Sequence, residues 1–406
     1  MNKKLKINKT VLKIFLLVFP FFPMRGLTFL GMRYFSYAYE VLMGLIVIVL
    51  ALRALGTGLR GKKRMIPILF CMLGLTFIIY LSTYLNDGNF IQATHRILEM
   101  WGAFFIMDYG FGKSRNSFLR GMCIVLSFIA ILNLIGIIAF YSRGSLRAAG
   151  DFWLFGQRNA MRNFLLPCVA FNLLYDECLG IRISRRSVLM TLISCISVIV
   201  AGSATSTVVI LLMAVLFYVH RRWGFNKISL KVFIIVFLIL QTVLVSMRAI
   251  DVFSFFIVKI LQRDVTLTGR IAIWDSALRG IQAHPYLGTG IQLLEDSELT
   301  TRSGTLFSHA HNVLLDTCYK TGYIGLAFLI ALFIFSVSGL KKSNGSVSYI
   351  AGVLLGLFLI TGLVGDIWSF GCFVALFFAS HADEPEPVFL PSANEFRWRE
   401  LRFKAF

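Results

Sequence analysis

Long apolar runs follow one another along almost the whole chain, and they limit it to very few folds. Hydrophobic residues make up 57% of the 406 residues, charged residues only 15%, and the mean hydropathy is +0.78. Runs of roughly 20 apolar residues are long enough to cross a bilayer. Because lipid offers the backbone no hydrogen-bond partner, a spanning segment is a helix or part of a closed barrel, and continuous rather than alternating runs favour helices. We therefore expect an all-α polytopic membrane protein.

The apolar runs can be placed along the sequence. We expect about twelve transmembrane helices, at residues 11–30, 34–56, 65–85, 95–111, 117–141, 160–179, 188–201, 204–220, 228–248, 322–340, 347–363 and 366–380. Pro20, Pro23 and Arg25 interrupt the first, and Gly202 with Ser203 must form a tight turn between the seventh and the eighth. The spans predict one integral membrane domain over residues 1–380, followed by a tail at 381–406.

The formal net charge of +20 could suggest a nucleic-acid partner, so the placement of the charge matters. The basic residues cluster in short connections that alternate along the chain: 3–13, 53–64, 113–120, 182–186, 221–231, 341–342 and 397–404. An excess of Lys and Arg in alternate connections marks the cytoplasmic side of a membrane protein. We therefore expect both termini and the tail to be cytoplasmic, a lipid bilayer as the surroundings, and no nucleic-acid partner.

This topology makes the segments 143–159 and 251–321 extracytoplasmic, where few basic residues are expected. Both nevertheless carry arginines: Arg143, Arg147, Arg158, Arg263, Arg270, Arg279 and Arg302. Guanidinium groups bind phosphate through two parallel hydrogen bonds, which makes these arginines candidates for a phosphate site. The alternative is that long loops escape the orientation rule and that arginines near span ends reach out to lipid headgroups.

The segment 251–321 also contains three histidines and a local pattern of its own. Apolar residues from Ile271 to Ile281 recur on one face of a helix that Thr268 could cap. The turn that contains Pro285, Gly288 and Gly290 ends this helix. A polar, acidic loop follows to Ser308, and His311 is expected to begin a helix that leads into the next span.

Three motifs lie in order within this segment and just after it: TGR at 268–270, PYLGTG at 285–290 and HAHN at 309–312, followed by GYIG at 322–325. This arrangement resembles the O-antigen ligase and O-antigen polymerase superfamily. The resemblance is strongest over 264–330 and extends more weakly to RAAGDFWLFGQRN at 147–159 and AGSATST at 201–207. Many members carry an arginine in the last of these stretches, where this chain has Ala204.

The resemblance implies a fold and an activity. Members transfer glycans from an undecaprenyl-pyrophosphate carrier on the outer face of the bacterial cytoplasmic membrane, with a helical, GT-C-like fold and without metal or nucleotide sugar. Polymerases pass the chain to another lipid-linked repeat unit, whereas ligases pass it to lipid A core or another acceptor. We expect a polymerase of surface polysaccharide, with ligase as the alternative and a flippase and a chain-length regulator as partner proteins.

Residues are assigned to roles by matching these motifs to the chemistry. Glycosyl transfer from a pyrophosphate needs cations for the leaving group and a base for the acceptor hydroxyl. We expect Arg270 to bind the pyrophosphate, assisted by Arg147 or Arg158, and His311 to be the general base or to orient the hydroxyl, since a free imidazole titrates at ~6.5. Asn312 and Gly290 are expected to contact the pyrophosphate or the glycan.

Two other kinds of site are possible in the same segment. A glycosidase-like pair of carboxylates could come from Glu295, Asp296 or Glu298, but a run of acids is usually solvated. His309 and His311 could bind a metal ion, but no further ligand has suitable spacing, and side chains two residues apart on a helix point in different directions. We therefore expect no metal and no cofactor.

A protein of another class would also need arginines for the same lipid. A flippase for lipid-linked glycans should carry cations along a central cavity and at both faces, and such transporters often contain internal repeats of helices. Here the unusual arginines collect on one side of the membrane, which favours a transferase. A purely structural membrane protein gives no reason for that collection.

Overall fold

The computed structural model describes residues 8–29, 32–59, 62–141, 152–246, 270–301, 304–342, 345–366 and 368–382. Within these residues the chain forms fourteen α-helices: α1 Lys9–Val18, α2 Gly26–Phe29, α3 Arg33–Thr57, α4 Lys62–Leu85, α5 Phe90–Lys113, α6 Arg115–Tyr141, α7 Arg162–Cys178, α8 Arg185–Val200, α9 Ala204–Trp223, α10 Leu230–Gln241, α11 Arg270–Ala283, α12 Val313–Lys342, α13 Ser346–Gly362 and α14 Phe370–Ser380. One antiparallel hairpin, β1 Phe152–Trp153 with β2 Gly156–Gln157, lies between α6 and α7.

Among the described residues, five helices are long and apolar enough to cross a membrane: Tyr37–Thr57, Lys63–Leu85, Arg115–Phe140, Ala204–Trp223 and Val313–Leu340. Shorter apolar helices lie at Leu230–Val245, Ser346–Gly362 and Phe370–Ser380. Helices α3 and α4 leave many large apolar side chains exposed, as lipid-facing surfaces do. The predicted all-α membrane fold is therefore confirmed, while the count of twelve spans and the GT-C-like architecture stay predictions.

The helices run back and forth between two ends of the bundle. At one end, called here the loop end, lie the connections 86–89, 152–161 and 201–203 together with the described parts of 270–312 and 363–369. Contacts tie these connections to one another: the Asn89 amide donates to the Ile291 carbonyl at 2.6 Å, and the Asn312 side chain donates to the Leu363 carbonyl at 3.2 Å. The described parts of the two segments with unexpected arginines therefore lie at the same end of the bundle as the turns between other helices.

The opposite end carries most of the short basic connections, and it is called here the basic end. Arg182 donates to the carbonyls of Arg221 and Arg222 at the end of α9. Arg186 forms an ion pair with Asp176 at 2.7 Å, and the Arg221 guanidinium contacts the Glu177 carboxylate. Most of the basic connections that alternate along the sequence thus lie at one end of the bundle, opposite the loop end.

The predicted interruption of the first apolar run is confirmed. Helix α1 ends at Val18, a 3-10 turn covers Phe19–Phe21, and Pro20 lies at the start of that turn, where its missing N–H is not needed. The short helix α2 follows, and the Gly26 amide donates to the Leu154 carbonyl of the hairpin at 2.9 Å. The N-terminal segment therefore contributes to the loop end.

Helix α12 breaks at Gly322, which adopts φ 63° and ψ −171° inside an otherwise continuous helix. The PYLGTG turn lies against this break and satisfies its backbone groups. The amides of Thr289 and Gly290 donate to the carbonyls of Tyr319 and Lys320 at 2.8 and 3.0 Å, and the Tyr323 amide donates to the Pro285 carbonyl at 2.8 Å. The motifs at 285–290 and 322–325 thus contact each other through backbone hydrogen bonds.

Candidate active site

Asp366, in the connection between α13 and α14, is the centre of a charged cluster at the loop end. Its Oδ2 accepts a hydrogen bond from Arg96 Nη2 of α5 at 3.0 Å, and its Oδ1 accepts from the Trp368 amide at 2.8 Å. Its backbone carbonyl accepts from Arg162 Nη2 of α7 at 2.8 Å. Asp366 therefore connects α5, α7 and the connection between α13 and α14 through the guanidinium groups of Arg96 and Arg162.

Arg162 is held rigidly at the first turn of α7. Its other terminal nitrogen, Nη1, donates to the Asn159 carbonyl at 2.6 Å, and the residue is 4% exposed. Gly365 packs directly on the guanidinium, and a Cβ at that position would collide with it. The absence of a side chain at Gly365 is what allows the guanidinium to reach the Asp366 backbone.

A second ion pair, between Asp316 and Lys320, lies on the first half of α12. Lys320 Nζ and Asp316 Oδ2 are 2.7 Å apart, and both side chains are buried. Asp316 Oδ1 accepts from the Ala310 amide at 2.9 Å, which fixes the HAHN segment onto the start of the helix. A small cavity beside this pair is lined by Arg96, Asp316, Thr317, Lys320 and Trp368, among others.

His309 and His311 lie side by side in this cluster. Their ring centroids are 4.0 Å apart with the planes inclined at 58°. The expectation that His311 begins a helix and that the two rings point in different directions was wrong, because α12 begins only at Val313 and His311 has the left-handed φ of 52°. That turn in the backbone brings both imidazoles to the same place, and Phe307 contacts the His311 ring edge-on.

Arg270 and His311, the pair expected to do the chemistry, are close enough to influence each other. Arg270 is the first residue of α11. Burial, followed by the positive charges of His309, Arg270 and Arg162, lowers the pKa of His311 to about 2. The ordinary value expected from the sequence therefore does not apply in the free protein, where the imidazole is neutral.

The positive charges of this cluster favour the neutral form of His311 but the charged form of the central carboxylate, Asp366. Burial works to raise the pKa of Asp366, but Arg96, Lys320 and His309 outweigh burial and hold the pKa below its ordinary range. Arg96, Arg162, Arg270 and Lys320 outnumber the carboxylates of Asp316 and Asp366, even when Glu99 behind Arg96 is included. The site is therefore a concentration of positive charge around a neutral pair of histidines, as an anionic ligand requires.

The structure gives Asn312 and Gly290 roles in the scaffold. Asn312 is fully buried, its Oδ1 accepts from the amides of Leu314 and Leu315 at the start of α12, and its Nδ2 donates to Gln241 Oε1 at 2.7 Å. Gly290 has φ 74°, and a Cβ there would lie 2.7 Å from the Thr83 Cα. Direct contacts of Asn312 and Gly290 with a glycan or a pyrophosphate stay predictions.

Arg158 lies beside the turn between α8 and α9. A Cβ at Gly202 would be 3.8 Å from Arg158 Nη1, and Ser203 Oγ donates to Asn159 Oδ1 at 2.9 Å. The predicted tight turn is confirmed, with Gly202 at φ 70°. Arg158 and Asn159, at the end of one weaker part of the resemblance, thus lie beside Gly202 and Ser203 of the other. Arg147 lies outside the described residues.

The alternative sites look different in the structure. Glu295, Asp296 and Glu298 are exposed, as expected for a solvated acidic run. Among the described residues, no group of three or more His, Cys, Asp and Glu side chains has the arrangement of a metal site. The carboxylates that do face the histidines are instead Asp316 and Asp366.

Sequence reasoning did not single out the residues that hold this cluster together: Arg96, Arg162, Asp316, Lys320 and Asp366. Each lies within or just beside an apolar span. A charged residue at such a position is costly unless it is paired, so its presence is itself a signal of function. That signal was available, but the partners come from four distant parts of the chain and only the fold shows that they meet.

Comparison with known proteins adds an independent observation. A family model described as O-antigen ligase matches residues 189–330. This part of the chain is similar to the O-antigen ligase family. The match covers α8 to the middle of α12, including Arg270, His309 and His311. A search of curated proteins gives no match.

The domain match confirms the resemblance to the O-antigen ligase and polymerase superfamily. It indicates a bacterial membrane protein of polysaccharide or lipopolysaccharide biosynthesis, a process that transfers glycans. Asp366, Arg96 and Arg162 lie outside the matched residues, but their charges act on His309 or His311 within them.

Proposed function

We propose that this protein transfers a glycan from an undecaprenyl-pyrophosphate-linked oligosaccharide to an acceptor hydroxyl, with no metal or other cofactor. The observation that carries the proposal is the position of His311 among the guanidinium groups of Arg270 and Arg162, next to the Arg96–Asp366 pair. Such a site offers cations for a leaving pyrophosphate and an uncharged imidazole for the incoming hydroxyl. These are the two requirements of the reaction.

Each group has a role in the proposed reaction. The acceptor oxygen bonds to the anomeric carbon while the bond from that carbon to the pyrophosphate oxygen breaks, and the pyrophosphate keeps the electron pair. Arg270 and Arg162 stabilise the charge that grows on the pyrophosphate, and Arg147 or Arg158 assists them. His311 receives the proton of the hydroxyl or orients that hydroxyl.

The acceptor is proposed to be another lipid-linked repeat unit, which makes the protein a polymerase of O-antigen, capsule or exopolysaccharide. A ligase that uses lipid A core or another terminal acceptor is the second candidate, and the description of the matching family as O-antigen ligase favours it. Carbohydrate analysis of a deletion strain separates the two. A missing polymerase leaves single repeat units attached to the terminal acceptor, whereas a missing ligase leaves long chains that are not attached.

We propose that the loop end faces the outside of the bacterial cytoplasmic membrane and the basic end faces the cytoplasm. The support is the concentration of Lys and Arg in the short connections of the basic end. A protein on this pathway would depend on a flippase to deliver its donor, and a polymerase would work with a chain-length regulator. Cysteine labelling with a membrane-impermeant reagent at exposed Glu295 tests the orientation.

The activity is tested by complementing a deletion strain with Arg270→Ala and His311→Ala. Both variants should lose the glycan product while the protein stays in the membrane. His220→Gln is a matched control, because His220 lies at the basic end, where it contacts the Phe225 carbonyl and Ser346. Near-normal product from both site variants would contradict the proposed function.

A further inference from the structure

The backbone turn that carries His309 and His311 is held by a residue of α12. His311 has the left-handed φ of 52°, which a residue with a side chain keeps only where its surroundings impose it. In the described part of the chain, the backbone of residues 309–311 makes a single hydrogen bond, from the Ala310 amide to Asp316 Oδ1 at 2.9 Å. Ala310 lies between the two histidines, so this bond fixes the point from which both rings leave the backbone.

Asp316 uses its two carboxylate oxygens for two different partners. Oδ1 accepts from the Ala310 amide, and Oδ2 accepts from Lys320 Nζ at 2.7 Å. Both side chains of the ion pair are buried. The torsion that turns a carboxyl group about its bond to Cβ has no sharp preference of its own. The contact with Lys320 therefore determines which oxygen is left for the Ala310 amide.

The backbone of Lys320 is held by two other parts of the chain. Its carbonyl accepts from the Gly290 amide at 3.0 Å and from Ser82 Oγ of α4 at 2.9 Å. The lysine side chain therefore starts from a fixed point and reaches Asp316 one turn earlier on the same helix. A row of contacts thus runs from α4 and the turn at 285–290 through Lys320 and Asp316 to the backbone between the histidines.

We propose that Asp316 is a positioning residue for the reaction, and that Lys320 orients its carboxylate. The inference rests on the proposed glycosyl transfer. Asp316 acts without touching the substrate, through the Ala310 amide, by holding His311 where that ring meets the acceptor hydroxyl. What Asp316 contributes to the reaction is the hydrogen-bond acceptor at Oδ1, and its negative charge serves to balance Lys320 in the interior.

The two roles of the carboxylate can be separated because they respond differently to substitution. A buried charge that loses its partner destabilises a protein, whereas joint replacement of both charges by neutral side chains of similar size is often tolerated. Two doubly neutral replacements of Asp316 and Lys320 are therefore expected to fold, although only one of them keeps an acceptor for the Ala310 amide. A difference in activity between the two reports on that hydrogen bond.

The test compares two double variants of the full chain in the deletion strain. In the amide variant, Asp316→Asn with Lys320→Gln, the asparagine oxygen accepts from Ala310 and its nitrogen donates to the glutamine oxygen. In the apolar variant, Asp316→Leu with Lys320→Met, side chains of similar shape offer no oxygen to the amide. Glycan made in the first minutes after induction is measured per molecule of protein in the membrane, together with the melting temperature in detergent.

If Asp316 positions the histidines, the amide variant makes glycan close to the wild-type rate, and the apolar variant is at least about tenfold slower per molecule. Asp316→Asn alone leaves Lys320 without its counterion, so it should be less stable than the amide variant, and adding Lys320→Gln should restore stability and product. Equal rates in the two double variants, whether both normal or both low, would overturn the proposal. Where the apolar variant does not accumulate, an amide variant below about one tenth of the wild-type rate overturns it alone.

The controls separate this inference from the proposed function. Loss of product in Arg270→Ala and His311→Gln, combined with equal rates in the two double variants, would leave the transferase intact and remove the role of Asp316. Normal product in Arg270→Ala and His311→Gln would remove the proposed function itself. Asp176→Leu with Arg186→Met repeats the apolar exchange on an ion pair of the basic end, and it should leave the rate per molecule unchanged.

Discussion

Arg96 Nη2 and Asp366 Oδ2 are 3.0 Å apart, and the two side chains are 19% and 22% exposed. The pair joins α5 to the connection between α13 and α14, so it holds together two parts of the loop end that are far apart in sequence. Asp366 would still be held by the Trp368 amide if Arg96 were removed. Arg96, in contrast, would lose its ion-pair partner if Asp366 were removed.

Removing either member of this pair should destabilise the protein. A buried ion pair that loses one member costs up to ~3–5 kcal/mol, and the partial exposure here reduces that to about 1–3 kcal/mol. We expect Arg96→Ala and Asp366→Ala each to lower the melting temperature in detergent. The double variant should lose less than the sum of the two, because it leaves no charge unpaired. Strict additivity would show that the two side chains do not interact.

Gly322 is expected to tolerate no side chain. A Cβ there would collide with the Tyr286 carbonyl, and the left-handed backbone costs a non-glycine residue roughly 1–2 kcal/mol more. Gly322→Ala should therefore lower the melting temperature by several degrees and reduce glycan formation, because the break positions Asp316 and Lys320. Gly44→Ala is the matched control, since a Cβ at Gly44 of α3 meets nothing within 4 Å. Equal stability of the two variants would contradict the packing argument.

The sequence predicted the architecture well where one physical rule dominates. The apolar runs gave the helices and their approximate ends, the prolines gave the break after α1, and Gly202 gave the turn between α8 and α9. The helix from Arg270 to Ala283 was also predicted, because its apolar residues recur on one face. Local rules were sufficient for these elements, since each depends on neighbours in the chain.

The site could be predicted only in part, for the opposite reason. Arg270 and His311 were singled out because they lie in one loop with recognisable motifs, and their roles stay predictions. Arg96, Arg162 and Asp366 were not, because each is a single charge in or beside an apolar helix, and its partner lies far away in sequence. The placement of His309 and His311 was predicted wrongly because a single left-handed residue, His311, changes the direction of both rings.

The buried histidines should make the protein sensitive to acid. Burial lowers the pKa of His311 to about 2 and lowers the pKa of His309, whereas both titrate near ~6.5 when unfolded. Below that value the unfolded chain binds protons that the folded chain does not, so stability falls on acidification, by at most about 1.4 kcal/mol per pH unit for each histidine. The melting temperature of His311→Gln should fall less between about pH 6.5 and about pH 5. An unchanged slope would show that His311 is not buried in its neutral form.

The scaffold role of Asn312 can be separated from a role in binding. Gln241→Leu removes one of the two acceptors of Asn312 Nδ2 and leaves the Leu363 carbonyl and the helix cap in place. Its cost should be about 1 kcal/mol, the usual net value of one hydrogen bond. Asn312→Ala also removes the cap of α12, which is worth about 0.5–2 kcal/mol by itself. If Asn312→Ala abolished glycan formation at unchanged stability, Asn312 would have to contact the substrate.

Binding of the donor should reverse the electrostatics of the histidines. In the free protein, Arg270 and Arg162 oppose protonation of His311, and a bound pyrophosphate places negative charge among them. An opposite charge within ~4–6 Å favours the protonated form of an imidazole, so binding should raise the pKa of His311 and take up protons. Purified protein should therefore bind a lipid-linked pyrophosphate more tightly at about pH 5.5 than at about pH 7.5.

The pyrophosphate itself can titrate in this range, so the comparison is made against His311→Gln, in which the contribution of the ligand is the same. The wild type should show the larger increase in affinity on acidification, measured as the shift in melting temperature on adding the ligand. Equal pH dependence in the two proteins would mean that the pyrophosphate does not bind next to His311.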